Sequence, residues 1–445
     1  MPDPGTRRGD NITGSAFAPV LPAHASISAR GELVVAGCAV TDLRREYGTP
    51  LYVFDEKGIR DQAQEYRSVL TGLWPNSAVL FASKAFPCVA MYRLAAEEGL
   101  KVDVAGGGEL YLALCAGVEP EDIYLHGNAK TDAELAMAVD AGVGTIIVDN
   151  DHDIDRLERL VDREQRVLLR VIPDVSPDTH ASQSTGGATS KFGLPRDQAL
   201  RAIDRMMQSP RLRFEGVHVH IGSQILSALP FAQSIRALSA YGEYPVYDLG
   251  GGLGVQYTRD EPAPSVSEYL GTVAEAAKRY LPDESQLLVE PGRAMVARAG
   301  ITLYSVTTVK TTMKTFVAVD GGMSDHLDAA LTDQRYEAII ANRMNDTFET
   351  LADVVGRQCE SGDLLVGGAM LNNPRRDDVL AILATGAYSY TFANNYNGAL
   401  KPAIVFCRDG DARLVTRRET YEDLARTHLV PEPTTARSEG IGLHQ

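Results

Sequence analysis

Lys84 follows the apolar run Val79-Leu-Phe-Ala-Ser and precedes Ala85-Phe86. A lysine held in apolar surroundings can give up its proton and attack a carbonyl as a free amine. Alone, it reads equally well as a side chain that snorkels to the surface. Gly250-Gly251-Gly252 follows Val246-Tyr-Asp-Leu directly, and three glycines after a strand leave backbone N–H groups open to a phosphate. Alone, they are no more than a tight turn. Arg293, in Glu-Pro-Gly-Arg after the next apolar run, would add a guanidinium fork to the same anion. A reactive lysine, a phosphate cradle and the acid Glu290 suggest pyridoxal phosphate. Lys84 would hold it as a Schiff base, Glu290 would keep the pyridine nitrogen protonated, and an imidazole such as His220 would lie against the ring. On spacing alone, a phosphosugar enzyme fits these residues as well.

The elements that would position these groups recur with a regular beat. Apolar runs start at residues 79, 101, 123, 145 and 167, each 22 after the last, and further runs start at 216, 245 and 287. All eight are short and bounded by turn residues, as strands buried on both faces are. Helical periodicity fills the gaps in CVAMYRLAAEEG, GELYLALCAG, TDAELAMAVDAG and DIDRLERLVD. Eight strands alternating with helices predict an α/β fold, a (β/α)8 TIM-type barrel rather than an open doubly wound sheet. Lys84, Asp103, His126, Asp149, Arg170, His218 or His220, and Glu290 fall at or near the C-terminal ends of these strands. One polar residue there is ordinarily a cap, but seven in register form a set at the face where barrel enzymes place their chemistry. His218 and His220 alternate, so only one is expected to face inward.

After residue 300 the strand-like runs lose their intervening helices, which predicts a C-terminal all-β domain over 301–429. The barrel is expected over 51–300, a segment packing with the β domain over 29–50, and mobile tails over 1–28 and 430–445. The chain has 445 residues, 44% hydrophobic and 23% charged, a core-forming composition. Its formal net charge of −16 disfavours nucleic acid and anionic membranes as partners. Five scattered cysteines without metal-type spacing suggest free thiols, a reducing cytoplasm and no metal site.

The segments FASKAF, DVAGGGEL, HGNAK, SKFG, HIGSQ, DLGGGLG, EPGR, VDGGMSD, CESGD, TGAYSY and RRETYEDL occur in order between about residues 45 and 425. With them the chain resembles the fold-type III, alanine-racemase-like pyridoxal phosphate decarboxylases, and within these it looks most like the diaminopimelate decarboxylases. The resemblance implies a barrel joined to a β domain, acting on a small amino acid as a head-to-tail homodimer. It implies that Lys84 carries the cofactor and His220 stacks on it. Ser223, Gly250, Gly251, Gly252 and Arg293 would hold the phosphate, and Glu290 would pair with the pyridine nitrogen. Asp103, Arg170, Gly292 and Tyr388 complete the expected cofactor site. Cys359 matches the family's proton donor and Glu360 a substrate-holding residue, both reaching the site from the partner subunit.

One stretch departs from the family. Where its members carry D-N-x-R-P-x-x-Y, this chain reads Asp325-His326-Leu327-Asp328-Ala329-Ala330-Leu331-Thr332. Asp328 stands in the place of the arginine that grips the substrate's distal carboxylate, and Thr332 in that of the tyrosine. The THxYIxTG-like stretch is also altered, to THASQSTGGATSKFG. A carboxylate facing a carboxylate repels it. The expected substrate pocket is Arg293, Asp328, Thr332, Glu360 and Tyr388, and the expected reaction is decarboxylation of a related amino acid lacking the distal carboxylate, in specialised metabolism. The alternatives are meso-diaminopimelate decarboxylation to L-lysine and, from another class, a non-catalytic cofactor carrier or a racemase. The second domain and Cys359 count against a carrier, and a racemase would be expected to want a tyrosine partner for the lysine.

Overall fold

The computed structural model describes residues 10–11, 16–175, 185–187 and 190–429. Eight parallel strands close in chain order into a barrel: Ser77–Ala82, Lys101–Val104, Ile123–Leu125, Thr145–Val148, Gln165–Arg170, Leu212–His218, Val246–Asp248 and Gln286–Val289. Pairing of Leu287 with Ser77 shuts it, which rules out an open sheet. All eight apolar runs are strands because both faces of each are covered. Leu80 packs with Tyr124, Ile147, Leu168, Val246 and Leu288 in one cluster. Its neighbours Val79 and Phe81 point the opposite way, into the larger core that the helices share.

The helices start and stop where local chemistry says they should. Thr131 and Glu134 form a reciprocal capping box at the start of Asp132–Ala141, and Gly142 ends that helix at φ 80°. Asn150 caps Asp151–Leu160 by accepting from the Asp153 N–H. Among the described residues, no helix is long and apolar enough to cross a membrane.

A second unit is built on a sheet ordered Leu364–Leu371, Thr350–Val355, Thr315–Val319, Gly300–Thr311, Leu51–Asp55, Ala403–Arg408 and Asp411–Thr416. Val379–Ile382 also pairs with Gly300–Thr311, and Ala338–Ile340 with Val379–Ile382. Leu51–Asp55, expected inside the barrel domain, pairs instead with Gly300–Thr311 and Ala403–Arg408, so the β domain draws a strand from before the barrel.

The N-terminal stretch expected to be a tail is packed over its described part. Phe17, Val20 and Leu21 are buried with Ile301, Leu303, Ile339 and Val405. Residues 33–35 and 38–39 form a small sheet of their own with Ala25–Ile27 and Asp10–Asn11, packed on the β domain rather than inserted in it. The expected C-terminal tail lies outside the described residues.

Candidate active site

Lys84 sits in a single 3-10 turn, Ser83–Ala85, at the C-terminal end of the strand Ser77–Ala82. The turn is held from both sides. The Ser83 hydroxyl donates to the Asp103 carbonyl. From the β domain, Thr391 Oγ1 donates to the carbonyls of Lys84 (3.0 Å) and Ala85 (3.1 Å). The cavity at Lys84 has a volume of about 420 Å³, and its walls include Asp103, His126, Arg170, His218, His220, Ser223, Glu290, Arg293, Asp328, Thr332 and Tyr388.

An acid–imidazole network forms the deep wall. Glu290 Oε1 lies 3.0 Å from His126 Nε2, and Oε2 lies 3.3 Å from His218 Nε2. Burial opposes a charge on Glu290, yet the two imidazoles hold its carboxyl well below the usual range. Burial likewise opposes protonation of His126, which Asp103 and Glu290 nevertheless drive upward. His218 is driven by burial down to about 4. The carboxylates thus favour the charged form of His126, the imidazoles favour the charged form of Glu290, and burial favours the neutral form of His218. Burial lifts Asp103 to about 7. The ligand atoms of His126, His218 and Glu290 lie within 4.8 Å of one another, close enough that the three could also hold a metal ion.

Both His218 and His220 reach the cavity, so the expectation that only one would face inward is corrected. Residues two apart on an extended chain share a face, so alternation places the two imidazoles together, while Val217 and Val219 point the other way into the core shared with the helices. His220 Nδ1 accepts from the Gly251 N–H at 3.2 Å, which leaves the ring proton on Nε2. Burial, with Lys84 and Arg170 nearby, keeps the ring neutral.

The glycines are required sterically. A Cβ on Gly251 would fall 2.0 Å from the Glu290 carbonyl, and one on Gly252, at φ +122°, 2.4 Å from that of Gly222. Two of the three N–H groups expected to be open are already bonded, Gly250 to Asp248 Oδ1 and Gly251 to His220. Arg293 opens the short helix Arg293–Val296, donates to Ser223 Oγ and the Tyr257 hydroxyl, and lies 4.6 Å from the Tyr388 ring centroid. Arg170 stacks at 4.4 Å on Phe192, and Asp149 stands just outside the cavity wall, bonded to the Gly193 N–H.

Asp328 and Thr332 occupy one short helix, Asp328–Thr332, whose one-turn spacing brings both to the cavity. Asp328 is 1% exposed. Its Oδ2 accepts from the Tyr336 hydroxyl at 2.6 Å and lies 3.9 Å from Arg293. Tyr257 and Tyr336, which pack edge to face at 4.9 Å, escaped the sequence reading. They lie in no motif, and the only signal was their nearness in sequence to GGG and to Asp328.

Cys359 and Glu360 are exposed and stand outside this chain's cavity wall. Their loop is braced on the Gly321–Asp325 turn, with Gln358 Nε2 donating to Ser324 Oγ at 2.6 Å. All five cysteines are free. Most of the stretch 178–190 lies outside the described residues, though Thr185 reaches the cavity.

The donor set fits pyridoxal phosphate. Glu290 Oε1 is buried without a hydrogen-bond partner of suitable geometry, an acceptor that a protonated pyridine nitrogen would satisfy. Lys84 and Ser223 line the same cavity and supply the amine and a hydroxyl for the phosphate.

Comparison with known proteins agrees with this chemistry. Residues 56–297 match the family described as the pyridoxal-binding domain of pyridoxal-dependent decarboxylases. The chain is 41% identical over 419 residues to diaminopimelate decarboxylase of Bacillus subtilis, covering 90% of this chain and 95% of that one. It is 39% identical over 423 residues to the enzyme of that name from Halalkalibacterium halodurans, covering 91% and 96%. The crystal structure of diaminopimelate decarboxylase from M. jannaschi superposes with a TM-score of 0.86 at 30% identity, covering 92% and 98%.

Proposed function

The chain belongs to the fold-type III pyridoxal phosphate-dependent amino-acid decarboxylases, and on that premise we propose that it decarboxylates meso-diaminopimelate to L-lysine. Relatives about 40% identical over nine-tenths of the chain are named diaminopimelate decarboxylase, which favours this reading over the sequence expectation of a substrate lacking the distal carboxylate. The observation that carries the reading is Arg293, a buried guanidinium in the cavity wall beside Tyr388, placed to meet a carboxylate.

Pyridoxal phosphate supplies the electron sink that lets the carboxyl group leave as carbon dioxide. The protein's own groups do the rest. Lys84 presents its amine from a turn fixed by both domains. Glu290, kept anionic by His126, holds a proton on a ring nitrogen opposite it. His220, neutral and fixed in one tautomer, offers a flat face. Tyr388 and Phe392 help to cover the cavity against water. The exposure of Cys359 and Glu360 supports a homodimer in which each serves the partner's cavity, Cys359 returning a proton to the substrate carbon.

A second reading rests on Asp328, whose buried carboxylate favours a substrate with an amine alone at its far end. Carbon dioxide release from meso-diaminopimelate, L-lysine, L-ornithine and L-arginine decides between them. Turnover of meso-diaminopimelate with L-lysine as product supports the first, and turnover of a basic amino acid alone puts the second in its place.

A further inference from the structure

We infer that Asp328 is the receptor for the substrate's distal ammonium, acting beside Arg293 as one half of a dipolar site. This rests on the reading that the substrate is a diamino acid. Asp328 is buried in the wall of the cavity that contains Lys84. A buried carboxylate is costly unless other groups answer it. The answering groups here are the Tyr336 hydroxyl at 2.6 Å and the Arg293 guanidinium at 3.9 Å, too far for a direct hydrogen bond. The nearest side-chain donor to its other oxygen is Thr332 Oγ1 at 3.4 Å, and that hydroxyl has the shorter bond, 2.9 Å, to the Asp328 carbonyl. The carboxylate thus keeps acceptor capacity toward the cavity.

Arg293 and Asp328 present opposite charges side by side. The distal head of a diamino dicarboxylate does the same, with its ammonium and carboxylate on one carbon. A lone distal carboxylate would meet Arg293 and also Asp328, which repels it. A lone distal ammonium would meet Asp328 and leave Arg293 unanswered. The pair therefore selects for the two-charge head, and Asp328 is the element that demands the amine.

The test compares meso-diaminopimelate with 2-aminopimelate, which keeps both carboxylates and lacks the distal ammonium. Turnover of a basic amino acid alone would defeat the two-charge selection together with the substrate reading. The holoenzyme is expected to favour the diamino member by ~30-fold or more in kcat/KM, the range for loss of a buried charge partner. In Asp328→Asn that ratio should fall toward one, with the loss mainly in KM. A merely structural role would depress both substrates alike and leave the ratio standing. Calorimetric titration of Lys84→Ala protein with the same pair reads binding without turnover, and the wild-type comparison needs no variant to fold. A ratio unchanged in Asp328→Asn, or near one in the wild type, overturns the inference alone. Failure to release carbon dioxide from any diamino acid sinks the substrate reading and the inference with it.

Discussion

Tyr388 donates its backbone N–H to the carbonyl of Ala85 at 2.8 Å, so the β domain grips the turn that carries Lys84. Thr391, three residues on, shares its one hydroxyl proton between two carbonyls of the same turn. Lys84 is thus positioned by a contact spanning about 300 residues of chain, which makes the second domain part of the candidate site.

That contact can be weakened without touching the cavity. Thr391→Val should leave Lys84 as the residue to which borohydride fixes the cofactor, while lowering kcat/KM by ~5-fold, the worth of about one net hydrogen bond. Peptide mapping of reduced protein checks the first point and initial rates the second. Label on another lysine would defeat the assignment, and unchanged rates would remove Thr391 from the account.

The barrel was legible because its strands are buried on both faces, so each reads as an apolar run whatever its partner. Partner choice was not legible. Leu51-Tyr-Val-Phe-Asp has the same texture as a barrel strand, yet lies between Gly300–Thr311 and Ala403–Arg408. Nothing local distinguishes the two fates, since strand pairing is decided by residues hundreds of positions away. The site was read in the same uneven way. Lys84, Glu290 and Arg293 announce themselves in compact motifs, whereas Tyr257 and Tyr336 meet Arg293 and Asp328 only once the chain has folded. His218 and His220 both reach the cavity because residues two apart on an extended chain share a face, which the expectation of a single inward histidine overlooked.

His326 should make stability depend on pH. Burial lowers it from 6.5 to about 4, so the unfolded chain takes up its proton before the native protein does. It costs nothing above pH 6.5 and subtracts progressively as pH falls toward 4, by at most ~3 kcal/mol. Asp325, raised by burial to about 7, pulls the other way over the same window, since its native carboxyl gains a proton the unfolded chain has released. The measurement is therefore a difference. Urea midpoints of wild type and His326→Gln at pH 7 and pH 5 should show a smaller loss on acidification in the variant, and equal losses would refute the assignment.

If Cys359 and Glu360 complete the partner's cavity, two dead proteins should rescue each other. Lys84→Ala mixed with Cys359→Ala in equal amounts should recover about a quarter of wild-type activity once subunits exchange. Random pairing makes about half the dimers mixed, and each mixed dimer of a two-fold assembly has one intact site in two. Exchange is followed by mass spectrometry of differently tagged chains. No recovery after proven exchange would place Cys359 and Lys84 in the same chain's site.

The acid–imidazole wall gives the last prediction. Among the described residues, Glu290 is the carboxylate that His126 and His218 both approach within 3.3 Å, and its charge raises His126 along with that of Asp103. Glu290→Gln keeps the shape and removes the charge. The amide cannot hold a proton on a ring nitrogen as an anion does, and the His126 imidazole loses its counter-ion, so its pKa should fall. Attachment of the cofactor to Lys84 depends on the amine and the phosphate contacts and should survive, as absorbance and borohydride fixation would report. Turnover depends on how well the ring draws electrons, and kcat should drop by ~100-fold or more, the usual scale for losing a positioned proton. A variant that binds the cofactor and still turns over at the wild-type rate would mean that Glu290 and its imidazoles only brace the barrel floor.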